Sequence, residues 1–186
     1  MKKVLFVEHF FKFVLIVTMS HLHTLYLAGG CYWGMEELFR TKPGVINTQV
    51  GFSGGHIAHV GYREVTTGTT GHAETLMIQF DPDKTTLRHL LFEFFRMHNP
   101  TTQNQQGNDI GTQYRSVIFY GDEGQKVTAQ EVIKSVNQSA EWGAPVVTEL
   151  VPFQAFYPAE EKHQQYLMKY PDGYTCHYRR NLVLGE

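Results

Sequence analysis

Twice along this chain a helical pattern sits between two short runs of β character, and that order constrains the fold more than any other feature. Residues 24–28 read as a strand, about 31–41 as a helix closed by Lys42-Pro43-Gly44, and 45–52 as a strand. The order then repeats. Residues 72–80 alternate as a strand stopped by Asp81-Pro82-Asp83. Residues 86–97 have helical periodicity, with Leu87, Leu90, Leu91, Phe94 and Phe95 on one side, and 116–120 form a short buried strand. A helix over 122–138 follows, with Asp122 and Gln125 spaced as a capping box. A strand over 146–151, a helix over 158–168 with Pro158 in its first turn, and an irregular tail complete the reading. Two strand–helix–strand halves that must bury one helix face each predict an α/β chain, in the form of a two-layer α+β sandwich.

The sheet should be mixed, with a split βαβ (ferredoxin-like) core, long loops and a tail over 169–186. At 186 residues, 42% hydrophobic and 18% charged, the chain is globular, and a single domain over 24–186 is expected. Residues 1–23 stand apart as an N-terminal extension. Met1-Lys2-Lys3 is basic and 4–19 are mostly apolar, but Glu8, His9 and Lys12 interrupt them. The longest clean run, 13–19, is too short to span a bilayer and a weak signal-peptide core. A cytoplasmic protein is expected, with export directed by 1–23 as the alternative. A net charge of −2 without blocks of like charge gives no sign of a nucleic-acid footprint, and no nucleic-acid partner is expected.

Two cysteines make no disulfide framework. The first, Cys31, lies in Gly29-Gly30-Cys31-Tyr32-Trp33-Gly34-Met35-Glu36, where a strand turns into a helix. Free cysteines are commonly just packed there. Unpaired backbone N–H groups and the positive end of the helix dipole favour a thiolate at such a place, and should lower the thiol pKa. Tyr32 and Trp33 add an aromatic wall, suited to a soft electrophile carrying an apolar group. Three loops also hold polar residues that packing alone does not require: Tyr62-Arg63-Glu64-Val65; Gly71-His72-Ala73-Glu74; and Gly107-Asn108-Asp109-Ile110-Gly111-Thr112-Gln113-Tyr114-Arg115-Ser116.

Taken with Thr70, Gln106 and the late Glu160-Glu161-Lys162-His163-Gln164-Gln165-Tyr166, these stretches resemble the A-class peptide methionine sulfoxide reductases over roughly residues 24–178. The resemblance implies that Cys31 attacks the sulfoxide sulfur and that Glu74 is the acid that protonates the oxygen. It implies that Tyr62 and Tyr114 hydrogen-bond that oxygen, and that Asp109 orients the site and assists cysteine chemistry. Tyr32 and Trp33 would hold the substrate methyl; Tyr32 stands where the family usually has Phe. The sulfenic acid left on Cys31 would be resolved by Cys176, in a segment able to swing towards it, and thioredoxin would reduce the disulfide. Substrates would be methionine S-sulfoxide, free or in peptides and oxidised proteins. No bound cofactor, no metal and a monomeric enzyme are expected.

Two rival chemistries share these residues. His21, His23, His56, His59 and the His72/Glu74 pair suggest zinc, but no Cys-x-x-Cys or His-Glu-x-x-His accompanies them. Cys31 with His72 as base would make an acyl-transferase or hydrolase. An aromatic-walled pocket for Met-containing peptides would make a binding module indifferent to Cys31→Ser.

Overall fold

The computed structural model describes residues 21–186, so the readings made on the first twenty residues lie outside it. The elements in order are β1 (His23–Gly29), α1 (Tyr32–Arg40), β2 (Val45–Ser53), α2 (Tyr62–Val65), β3 (Ala73–Phe80) and α3 (Leu87–Met97). There follow β4 (Gln105–Gln106), β5 (Asp109–Ile110), β6 (Ser116–Tyr120), α4 (Glu123–Ser139), β7 (Glu149–Pro152), β8 (Phe156–Pro158) and α5 (Tyr166–Lys169). Single 3-10 turns span Thr112–Tyr114 and Glu161–His163.

Six strands form one mixed sheet in the order β7-β6-β1-β3-β2-β8, with every pair antiparallel except β6/β7. β1 and β2 therefore run the same way with β3 between them, joined through α1. β3 and β6 run the same way with β1 between them, joined through α3. The alternation of β1 sends Leu25 and Leu27 into the core under the helices, with Met35 and Phe39 of α1 and Leu90, Leu91 and Phe94 of α3. Tyr26 and Ala28 face the other way, towards Ala73, Val117, Phe119 and Phe153.

That second face is closed by the chain itself. β7 and β8 are the two edges, yet only residues 153–155 join them. A flat sheet would hold these edges about 24 Å apart, five steps of about 4.8 Å. The joining chain spans at most about 14 Å, so the sheet is curled. Phe153 N–H donates to Tyr120 O at 2.8 Å, Ser53 Oγ donates to Ala155 O at 3.0 Å, and Phe153 stacks on Tyr26 with ring centroids 4.0 Å apart.

One expected element is absent. Residues 158–168 are no continuous helix: Pro158 ends β8, and Gln165 takes a left-handed φ of +51°. Tertiary contacts win over the helical pattern there. The Gln164 side chain acts as a strand partner for Val50, accepting from its N–H at 2.9 Å and donating to its carbonyl at 2.8 Å. The Gln165 amide is drawn to the buried Glu36 carboxylate at 2.7 Å. The predicted loop over 99–114 also contains the small β4/β5 hairpin, which carries Asp109.

Candidate active site

Cys31 is the N-cap residue of α1, in non-helical backbone (φ −55°, ψ 120°) with no side-chain cap. Gly30 before it has φ +97°, and a Cβ there would lie 2.4 Å from the Gln106 side chain. Only glycine lets the β1–α1 turn pass this close. The head of α1 therefore presents N–H groups that the helix cannot use, and three successive ones are spent on chemistry. The Cys31 amide favours the charged form of the Cys176 thiol. The Tyr32 N–H donates to Glu74 Oε2 at 3.0 Å, and the Trp33 amide favours the charged form of Cys31.

Glu74 is the second residue of β3, paired in register with Phe52 and 2% exposed. Burial raises its carboxyl to about 8; the Tyr32 amide opposes that shift and the Asp109 charge adds to it. At neutral pH Glu74 is a protonated acid held against the nucleophile's own turn. Cys31 differs from the sequence expectation. Its thiol is pushed well up rather than down, first by burial and then by Glu74, against the help of the Trp33 amide. At this turn the desolvation of a thiolate outweighs the helix terminus.

The remaining residues converge on the same turn. α2, inside the long loop after β2, delivers Tyr62, and the 3-10 turn before β6 delivers Tyr114. Burial raises both phenols, and Glu74, Cys31 and Asp109 act on each. Both hydroxyls are therefore kept as donors. Tyr32 is 1% exposed and its hydroxyl points inward without a partner. Its ring lies between Phe52 and His163, at centroid distances of 5.8 Å to each, and Trp33 stacks on Tyr166 at 3.8 Å.

The tail is docked rather than loose. Cys176 Sγ lies 3.2 Å from Asp109 Oδ2, which also accepts from the Tyr174 hydroxyl at 3.1 Å. Burial and Asp109 push the Cys176 thiol up to about 12. Gly34 in α1 leaves room for this packing: a Cβ there would lie 2.4 Å from Thr175 Oγ1 and 2.6 Å from His177 Nδ1. Sequence reasoning did not single out His177, Gln106, His163 or Tyr174 as site residues. Their signal was position, beside Cys176, beside Gly107, or in the late polar motif.

The rival residues go elsewhere. His72 accepts from the Gly55 N–H at its Nδ1 (3.2 Å), and its Nε2 donates to the Ile57 carbonyl (2.8 Å), so neither nitrogen is free to serve Cys31. His21, His56 and His59 are exposed, and among the described residues no three His, Cys, Asp or Glu side chains group as metal ligands.

A buried acid and two thiols gathered on one helix terminus belong to the chemistry of thiol-dependent oxidoreductases. Residues 23–185 match the family model described as peptide methionine sulfoxide reductase. The peptide methionine sulfoxide reductase MsrA of Nocardia farcinica is 49% identical over 162 residues, covering 87% of this chain and 93% of that protein. That of Streptomyces coelicolor is 52% identical over 154 residues, covering 83% and 87%. Among solved structures, reduced Mxr1 from Saccharomyces cerevisiae superposes with a TM-score of 0.82 at 36% identity, covering 88% of this chain and 94% of that one. Methionine sulfoxide reductase A of Corynebacterium diphtheriae gives a TM-score of 0.80 at 38% identity, covering 90% and 84%. The chain belongs to the peptide methionine sulfoxide reductase family.

Proposed function

We propose that this enzyme reduces methionine S-sulfoxide, free or in oxidised proteins, through Cys31 as nucleophile and Cys176 as resolving thiol. The observation that carries this reading is the meeting, at the head of α1, of Cys31, of the buried Glu74 carboxyl held by the Tyr32 amide at 3.0 Å, and of Cys176 docked 3.2 Å from Asp109.

The substrate methyl lies against Tyr32 and Trp33, and its oxygen faces Glu74, Tyr62 and Tyr114. The Cys31 sulfur bonds to the sulfoxide sulfur while Glu74 protonates the oxygen, which would otherwise leave as oxide. The oxygen passes to Cys31, giving a sulfenic acid, and methionine departs. The thiol proton of Cys31 restores Glu74, so the step consumes no net proton. Cys176 then attacks the Cys31 sulfur, the S–O bond breaks, and the oxygen leaves as water. A dithiol of the thioredoxin type reduces the disulfide, as the solved complex of Mxr1 with Trx2 illustrates for that protein. Every group in the scheme comes from one chain, in keeping with a monomer, and thioredoxin as reductant favours a cytoplasmic location.

A single-turnover experiment tests the reading. Reduced enzyme is mixed with a peptide carrying both sulfoxide epimers and no reductant. About one methionine per enzyme, two thiols lost and only the S epimer consumed is the expected result. Loss of one thiol alone removes Cys176 from the mechanism, and no methionine with both thiols free sinks the reductase reading.

A further inference from the structure

The residue after Cys176 is built into the site more firmly than packing requires. His177 is buried, and its Nε2 lies 2.7 Å from the carbonyl of Gly29, the last residue of β1. A carbonyl only accepts, so Nε2 carries the ring proton and Nδ1 is left with a bare lone pair. That lone pair lies 3.4 Å from Cys176 Sγ. A turn fixes the approach, the His177 N–H donating to Thr175 Oγ1 at 3.1 Å. Resting on Cys176 as the resolving thiol, we infer that His177 is the catalytic base of disulfide formation.

The step balances without any further reagent. His177 Nδ1 takes the proton of the Cys176 thiol as the Cys176 sulfur bonds to the sulfur of Cys31. The S–O bond of the sulfenic acid breaks with its electron pair going to oxygen, and the proton held by the imidazole completes the departing water. Cys176 is oxidised, Cys31 is reduced, and the disulfide forms.

Asp109 is the rival acceptor, because Cys176 has one proton and Asp109 Oδ2 is 3.2 Å away. That oxygen already takes the Tyr174 hydroxyl. Transfer to Asp109 would also leave the thiolate with no countercharge, whereas transfer to His177 leaves an imidazolium beside both the thiolate and the Asp109 carboxylate. The charged and titratable groups facing the imidazole are Asp109 on β5, His98 after α3, and Cys176 and Arg180 of the tail. Burial keeps His177 neutral, with a pKa lowered to about 4, so it enters each cycle as a free base.

The experiment follows thiol loss after one turnover of full-length reduced enzyme with a methionine sulfoxide peptide, from about pH 5.5 to 8, a range in which Glu74 keeps its proton and the Cys176 thiol, pushed up to about 12, does not ionise unaided. In His177→Gln the amide N–H can still reach the Gly29 carbonyl, but no base faces Cys176. Wild type should form its disulfide at a rate nearly independent of pH. The variant should be slower by about 100-fold at neutral pH, the usual scale for a lost general base. Its rate should then climb about tenfold per pH unit, because attack must await a spontaneous thiolate. A packing defect gives no such slope, so a wild-type rate, or a slow rate flat in pH, overturns the assignment. If Asp109→Asn shows the slope and H177Q does not, the base is Asp109 and the inference falls. Should H177Q not fold, nitrogen NMR of the wild type decides: a proton on Nδ1 rather than Nε2 rules the base out. Cys176→Ser that still turns over with thioredoxin like wild type overturns the resolving role itself. With Cys176→Ser inactive, failure of the pH test removes only His177.

Discussion

The two cysteines are held by different kinds of structure. Cys31 is fixed by backbone: a strand end, a glycine at φ +97° and the first turn of α1 leave it one place to be. Cys176 lies in a tail without regular structure, positioned by side chains. Arg179 forks onto the buried Glu93 with two bonds of 2.8 Å, and Lys42 reaches the same carboxylate. Arg96 binds Glu186 at 2.7 Å and the Leu182 carbonyl at 3.2 Å. Burial opposes the charge on Glu93, but its Arg and Lys partners more than offset that and hold the carboxyl down to about 2. The difference suits the chemistry. A nucleophile must be aimed before substrate arrives, whereas a disulfide partner must release its contacts so that an outside reductant can reach the bond. A tail held by side chains can open without the sheet unfolding.

This contrast breaks most visibly at the thiols. Cys31→Ser should abolish methionine formation altogether. Cys176→Ser should keep a burst of about one methionine per enzyme but lose thioredoxin-driven turnover, because only the second thiol is missing. Steady-state assays beside burst measurements separate the two. Next in size is Glu74→Gln, which should lower kcat/KM by about 10²–10⁴-fold as a general acid is lost. In wild type the same acid sets a pH limit. Its folded pKa of about 8 means the donor is protonated below that pH and lost above it, so kcat/KM should fall tenfold per unit beyond it. The native state also binds this proton more tightly than the unfolded chain, so wild-type stability should drop as pH rises from the ordinary carboxyl value of 4.5 to about 8. Thermal melts across that range should be flatter in E74Q.

A smaller effect is expected at Gly34. Ala there favours the helix by about 1 kcal/mol, but its Cβ would overlap Thr175 and His177. The tail should lift, with disulfide formation slowed about tenfold or more and the methionine burst kept, as proximity losses without chemical change predict. Quenched-flow thiol counting checks it. The smallest change is Tyr32→Phe. Removing a buried hydroxyl with no partner should stabilise the protein by about 1 kcal/mol, read by denaturant melts, with kcat little altered.

Where residues act through local backbone rules, the sequence was readable. The apolar spacing of α1 and α3, the Asp122 side chain capping α4 through the Gln125 amide at 2.8 Å, and the glycine turn at Cys31 follow from short-range physics. The site residues were legible as types in loops, and the fold explains why those loops meet. What failed depended on distant partners. The helical spacing of residues 158–168 gives no hint that Val50 and Glu36 will take Gln164 and Gln165. The direction of the Cys31 pKa turned on how deeply the head of α1 is buried, which position along a chain does not reveal. Docking of the tail likewise rests on Glu93, more than eighty residues before Arg179.

The three residues between β7 and β8 also bear on how this molecule keeps apart from its neighbours. An open six-stranded sheet offers two rows of unpaired amides and carbonyls on which another chain can add a strand. Here the outer strands are four and three residues long. The link between them draws both towards one another across the chain's own Phe153 and Tyr26. A short curled rim gives a stranger little to lie along. Such a rim leaves the sheet few free amides and carbonyls for a foreign strand to pair with.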